Sequence, residues 1–178
     1  MARQICLRLL TAAPRTRAQL AAELRRRRVP ADAAEAMLSR FADVGLIDDA
    51  AFARAWVESR HHSRGLSRRS LSAELRRQGV DSEEIREAVR TLDPEQEVAT
   101  ARRLVEQKLA RTRGQRPEAR ARQAAGLLAR KGYPPALAFR LISEAMRQEG
   151  ADSESLDLDA DAYLDPDVDE DPGPGTQP

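Results

Sequence analysis

Apolar residues recur three and four positions apart from the amino terminus to about Arg147, and no segment alternates apolar and polar positions over the length of a strand. Ala34, Met37, Leu38, Phe41 and Val44 mark one stripe; Phe52, Ala55, Trp56 and Ser59 mark another; Ile85, Ala88, Val89 and Leu92 mark a third. The pattern continues in Val98, Ala101, Leu104, Val105 and Leu109, then in Ala121, Ala124, Ala125 and Leu128, and finally in Leu137, Leu141, Ile142 and Ala145. These stripes predict nine helices and no sheet.

The stripes sit inside a longer repeat. Leu20-Ala-Ala-Glu23-Leu24-Arg25-Arg26-Arg27-Arg28-Val29 returns 51 residues later as Leu71-Ser-Ala-Glu74-Leu75-Arg76-Arg77-Gln78-Gly79-Val80. A fainter copy, Ala124 to Tyr133, follows 53 residues further on. A period of this size implies small helical units that bury one face against a neighbour. The chain is therefore expected to be all-α: a curved, elongated tandem array of three three-helix repeats over residues 1–48, 49–93 and 94–148.

Start and stop signals recur with the stripes. Ile47-Asp48 before Phe52, Leu66-Ser67 before Leu71 and Val80-Asp81 before Ile85 each place an apolar residue, an N-cap and an apolar N4 residue in order, as in a hydrophobic staple. Thr16 with Gln19, and Asp81 with Glu84, have capping-box spacing. Gly45 and Gly79 stand where a helix closes on a left-handed residue, and Pro134-Pro135 suits a helix start.

Charge divides the chain. Residues 1–147 hold all 30 basic residues against 18 acids, whereas the remaining 31 residues hold 11 acids and no base. Sparse apolar residues and four prolines make residues 149–178 a disordered acidic tail. That tail is either a solvated terminus or an internal competitor for the basic surface. A single cysteine and two histidines exclude a disulfide framework and the usual zinc sets. No stretch reaches the roughly 18 to 20 apolar residues that span a bilayer, so a cytoplasmic protein is expected.

Val44-Gly45-Leu46-Ile47-Asp48-Asp49-Ala-Ala-Phe52 is the most distinctive string. It closes a helix at Gly45, buries Leu46 and Ile47 in the turn and caps the next helix with Asp48. The paired carboxylates are read as capping rather than as a metal or acid-base site, because no further ligand or nucleophile lies nearby. Cys6 among Ile5, Leu7 and Leu9 reads as a buried thiol, Trp56 as core, and His61-His62 as a partly exposed helix end.

Gly45-Leu46-Ile47-Asp48-Asp49-x-x-Phe52-Ala53, Arg15-Thr16-x-x-Gln19-Leu20 and Glu74-Leu75-x-x-Gln78-Gly79-Val80-x-x-x-x-Ile85 together resemble the RecX family, regulators of the RecA recombinase. Arg28 departs from the Lys-Gly-like helix end usual there. The resemblance implies a modular array that lies along the RecA-DNA filament and restrains its growth, strand exchange, ATP hydrolysis and co-protease activity, without catalysis or cofactor.

Of the 30 basic residues 28 are arginine, and guanidinium favours bidentate contact with phosphate or carboxylate. Arg25, Arg26, Arg27, Arg28, Arg68, Arg69, Arg76, Arg77, Arg130 and Lys131 fall near corresponding ends of repeated helices and are the candidate contacts to filament or nucleic acid. The expected protein is a monomeric, non-enzymatic regulator whose partner is the RecA filament, with direct DNA contact as a further element. A general nucleic-acid-binding protein without a recombinase partner is the alternative.

Overall fold

The structure, a computed structural model, describes residues 2–150. Among them are nine helices and no strand: α1 (Ala2–Ala12), α2 (Arg17–Arg26), α3 (Ala31–Asp43), α4 (Asp49–Arg64), α5 (Arg68–Arg77), α6 (Ser82–Arg90), α7 (Pro94–Arg111), α8 (Pro117–Arg130) and α9 (Pro135–Gln148). The all-helical reading holds. The acidic tail expected over residues 149–178 lies, from residue 151 onward, outside the described residues.

Local chemistry accounts for the boundaries. Thr16 and Gln19 form a complete capping box at the start of α2. Asp48 accepts from the Ala51 N–H, and Ser67 from the Ser70 N–H, at the starts of α4 and α5. Asp81 caps Glu83 rather than Glu84. Pro117 and Pro135 open α8 and α9, where no N–H is needed.

Helix closure repeats with the sequence. At the end of α5, Gly79 has φ +79°, its N–H donates to Arg76 O, and the Val80 N–H donates to Leu75 O. Gly132 and Tyr133 do the same after α8. After α2 the position belongs to Arg28, which takes φ +58° and makes the same bonds to Arg25 O and, through Val29, to Leu24 O. Arg28 thus departs from glycine in sequence but not in conformation.

The chain divides after Thr100 into two compact units. The first holds two cores. Ile5, Cys6, Leu20, Leu24, Leu38, Phe41 and Ile47 form one, where α1, α2 and α3 pack together. Ala53, Val57, Leu66, Leu71, Leu75, Val80, Ile85, Ala88 and Leu92 form the other, where α4, α5 and α6 pack together. The repeated leucines Leu20, Leu24, Leu71 and Leu75 are each 0% exposed, so the repeat encodes equivalent core positions. In the second unit α8 packs on α9, and Val105, Leu109, Ala124, Leu128, Leu141, Ile142 and Met146 are buried.

Three expectations shift. Val44 is 63% exposed and Leu46 47% exposed, rather than buried. Gly45 turns the chain left-handed and the N–H groups of Leu46 and Ile47 both reach Phe41 O, so only Ile47 enters the core. The buried face of α4 is Ala53 and Val57, one residue past the expected stripe; Phe52 and Trp56 flank it half-buried, and Ala55 and Ser59 are exposed.

Candidate interface for an anionic partner

The two clear copies of the repeated phrase use the same glutamate in different ways, and this determines where positive charge is left uncompensated. In α2, Glu23 accepts from Arg26 and, at 2.7 Å, from Arg27 Nε. The Arg27 hydrogen bond is the leading influence that lowers the Glu23 pKa from its ordinary value. In α5, Glu74 turns instead toward α4, accepting from Trp56 Nε1–H at 2.9 Å and pairing with Arg64 Nη1 at 3.1 Å. Arg77, the counterpart of Arg26, is thereby left exposed and without an ion pair among the described residues; Arg76, like its counterpart Arg25 two residues past the glutamate, is exposed and unpaired as well.

Those two arginines sit where α5 meets the start of α2. The Thr16 hydroxyl donates to Gln78 O at 2.7 Å, the Gln19 side chain bonds that of Gln78, and Ala18 lies against Gly79. Arg15, also exposed and unpaired among the described residues, adjoins the same junction. Its neighbour Arg17 is occupied by Glu35 and Ser39. Arg15 was not among the sequence candidates, although it belongs to the Arg15-Thr16 motif; only the tertiary contact reveals its company.

The remaining candidates fall into separate places. Arg25 to Arg28 are exposed at the far end of α2, about ten residues or 15 Å from its start. Arg69 is exposed at the start of α5. Arg68 is turned inward: its backbone N–H donates to Glu97 Oε1 at 2.8 Å, its side chain pairs with Glu97, and Nη2 donates to Leu92 O. In the second unit Arg130 is exposed and Lys131 half-buried at the end of α8. The structure brings together Arg76 and Arg77, adds Arg15, and separates Arg25–Arg28 from them.

The other conspicuous side chains have structural partners. Asp48 caps α4 as the sequence implies, and Asp49 Oδ1 accepts the Arg17 N–H at 2.8 Å. Burial raises the pKa of Asp49; it also raises that of Glu84, which faces the charges of Asp49, Asp81 and Asp48. His61 Nδ1 lies 2.9 Å from Leu66 O and Nε2 3.0 Å from Thr100 Oγ1, so its ring ties α4 to flanking chain, while His62 is exposed. Trp56 stacks on Phe52 at 5.5 Å, with the Arg60 guanidinium 4.4 Å from its ring centre. Cys6 is buried, and burial raises its thiol pKa, which disfavours the thiolate. No helix among the described residues is long and apolar enough to cross a membrane.

Successive three-helix domains with arginines at their helix ends place the chain among all-α repeat proteins. Residues 2–41 match the family description "RecX, first three-helix domain", and residues 48–89 match "RecX, second three-helix domain". The chain is 58% identical over 151 residues to the Regulatory protein RecX of Thermobifida fusca, covering 85% of this chain and 82% of that one. It is 43% identical over 152 residues to that of Mycolicibacterium smegmatis, covering 83% and 81%. The crystal structure of RecX from Lactobacillus salivarius superposes with TM-score 0.73 at 19% identity, covering 81% of this chain and 94% of that chain, a likeness of fold. The chain belongs to the RecX family.

Proposed function

We propose that this protein is a non-enzymatic regulator, mainly an inhibitor, of the RecA recombinase. It binds the RecA-DNA filament and restrains filament extension, ATP hydrolysis, strand exchange and co-protease activity, and so acts in recombination, repair and the SOS response. It works in the cytoplasm as a monomer, without cofactor. Three three-helix repeats, 1–48, 49–93 and 94–148, follow the filament. The carrying observation is the exposed, unpaired Arg76 and Arg77, with Arg77 deprived by Trp56 and Arg64 of the glutamate that holds its counterpart Arg26, and with Arg15 at the same junction. Uncompensated guanidinium groups suit bidentate contact with phosphate or with acidic protein surface.

The test is recombinase ATP hydrolysis with DNA in excess. Filament-specific inhibition persists there; inhibition by competition for DNA vanishes, which would favour a general nucleic-acid-binding protein. An Arg76→Glu, Arg77→Glu variant that remains folded should lose inhibition. Full inhibition by that variant would remove the pair from the interface.

A further inference from the structure

A further run of positive charge lies outside the residues considered above. Between residues 108 and 122 there are six basic residues and one acid, Glu118. Arg111, Arg113, Arg116 and Arg122 are exposed and make no ion pair among the described residues. Arg120 is the exception: it is buried, and Nη2 donates to Leu109 O at 2.9 Å and to the Glu149 carboxylate.

That buried arginine positions the end of the last helix. Arg102 Nη1 pairs with Glu144 Oε2 at 2.8 Å, and Arg120 links Glu149 to Leu109. Glu144 therefore stands level with Arg102 and Glu149 with Leu109, so α9 runs beside α7 in the same direction. The chain leaves α9 at Gly150, at the end of the unit where α7 turns into α8 and the arginines cluster. The residues that follow, 151–178, hold ten acids and no base.

We propose that residues 152–171 dock on the α7–α8 arginine turn of the same chain and cover it. The first acid, Asp152, lies two residues beyond Gly150, within about 7 Å along an extended chain. Asp157, Asp159 and Asp161 follow within about 40 Å. A tether this short presents its carboxylates at an effective concentration on the order of millimolar. Each exposed pair is weak and screened by salt, but the set acts together, and Glu118 is the one acid within residues 108–122. A phosphate backbone reaching this turn must displace the chain's own carboxylates. The proposal is independent of any recombinase partner.

The chain's two lysines make the test specific. Lys108 lies one helical turn before Arg111, whereas Lys131 lies beyond the far end of α8, a helix of 14 residues or about 21 Å. The full chain is treated with a carbodiimide at low and high salt, and the monomer is digested and analysed by mass spectrometry. An Arg113→Lys variant, which places an amine in the turn itself, is treated in parallel. The expected result is amide links from residues 152–171 to Lys108 and to the new lysine, in several-fold excess over links to Lys131. They should fall several-fold at high salt and in a folded Arg111→Glu, Arg116→Glu variant. Links spread equally to Lys131, links unchanged by charge reversal, or no links in Arg113→Lys would each overturn the proposal.

Discussion

The backbone N–H of Arg17 donates to Oδ1 of Asp49 at 2.8 Å, so the first turn of α2 is satisfied by a carboxylate 32 residues away. The same device returns 51 residues later, where the N–H of Arg68 donates to Glu97 Oε1 at 2.8 Å. Early N–H groups of a helix have no intrahelical acceptor, and negative charge there also favours the helix dipole. In both repeats the carboxylate comes from a helix beyond the repeat's own core.

Removing that acceptor should therefore loosen the contact as well as α2. Asp49→Ala is expected to cost about 1–2 kcal/mol in urea unfolding, and Asp49→Asn, which keeps an oxygen acceptor, clearly less. Equal losses for the two substitutions would show that the hydrogen bond is not what Asp49 contributes.

Acid pH separates the half-buried carboxylates Asp49 and Glu84 from Glu23. Asp49 and Glu84 have pKa values raised first by burial, so the folded chain holds their protons more readily than the unfolded one. Their favourable contribution is fully present below the unfolded carboxylate values and fades as pH rises through the raised folded ones. Glu23, lowered by Arg27, behaves oppositely: its contribution is lost as pH falls through its folded value. Glu84→Gln should raise the Tm at pH 7, with the gain shrinking below about pH 4. A gain that grows toward acid pH would contradict the assignment.

Arg28 and Gly79 occupy the same left-handed closing position, and only one is glycine. Arg28→Gly should stabilise the chain by about 1 kcal/mol, because a side chain at positive φ carries roughly that strain. Gly79→Ala should destabilise by about 2 kcal/mol or more, since its Cβ would also lie 2.3 Å from Ala18 Cβ. Ala18→Gly in the Gly79→Ala background should recover part of that loss. A double-mutant cycle with no coupling would refute the steric share.

Most of the fold was readable because caps, stripes and the repeat are local signals that agree with one another. Thr16, Asp48 and Ser67 cap where their neighbours in sequence indicate, and the repeated leucines are buried together. The misplaced residues are those that the apolar stripes alone do not decide. Leu46 and Ile47 are equally apolar, and only the left-handed turn at Gly45 decides which one is buried. Likewise Glu23 and Glu74 are identical in the repeat, and Trp56 and Arg64 determine that Arg77 goes uncompensated where Arg26 is paired. Charge counting alone placed Arg68 with Arg69, although one is held inside and the other is exposed.

That neighbouring pair can be separated by stability. Arg68→Ala removes the donor to Leu92 O and the Glu97 pair, so it should cost about 2 kcal/mol. Arg69→Ala should stay within about 0.5 kcal/mol of the native chain. Chemical denaturation of the two variants checks this directly, and similar losses would mean that Arg68 is not an interior anchor.

Arg120 offers the sharpest energetic test, because it is both bonded and incompletely satisfied. Its Nη2 serves Leu109 O and Glu149, while its buried Nε has no partner among the described residues. Breaking one side of such a pair leaves the other group stranded, at about 3–5 kcal/mol for a fully buried pair and less here, where Glu149 reaches solvent. Arg120→Met should therefore destabilise by about 2 kcal/mol. Replacing Glu149 with Met as well removes the stranded carboxylate and the unpaired donor together, so the double variant should be more stable than Arg120→Met alone. If the double variant is less stable than either single one, Arg120 and Glu149 contribute independently, and Glu149 is not what positions the end of α9.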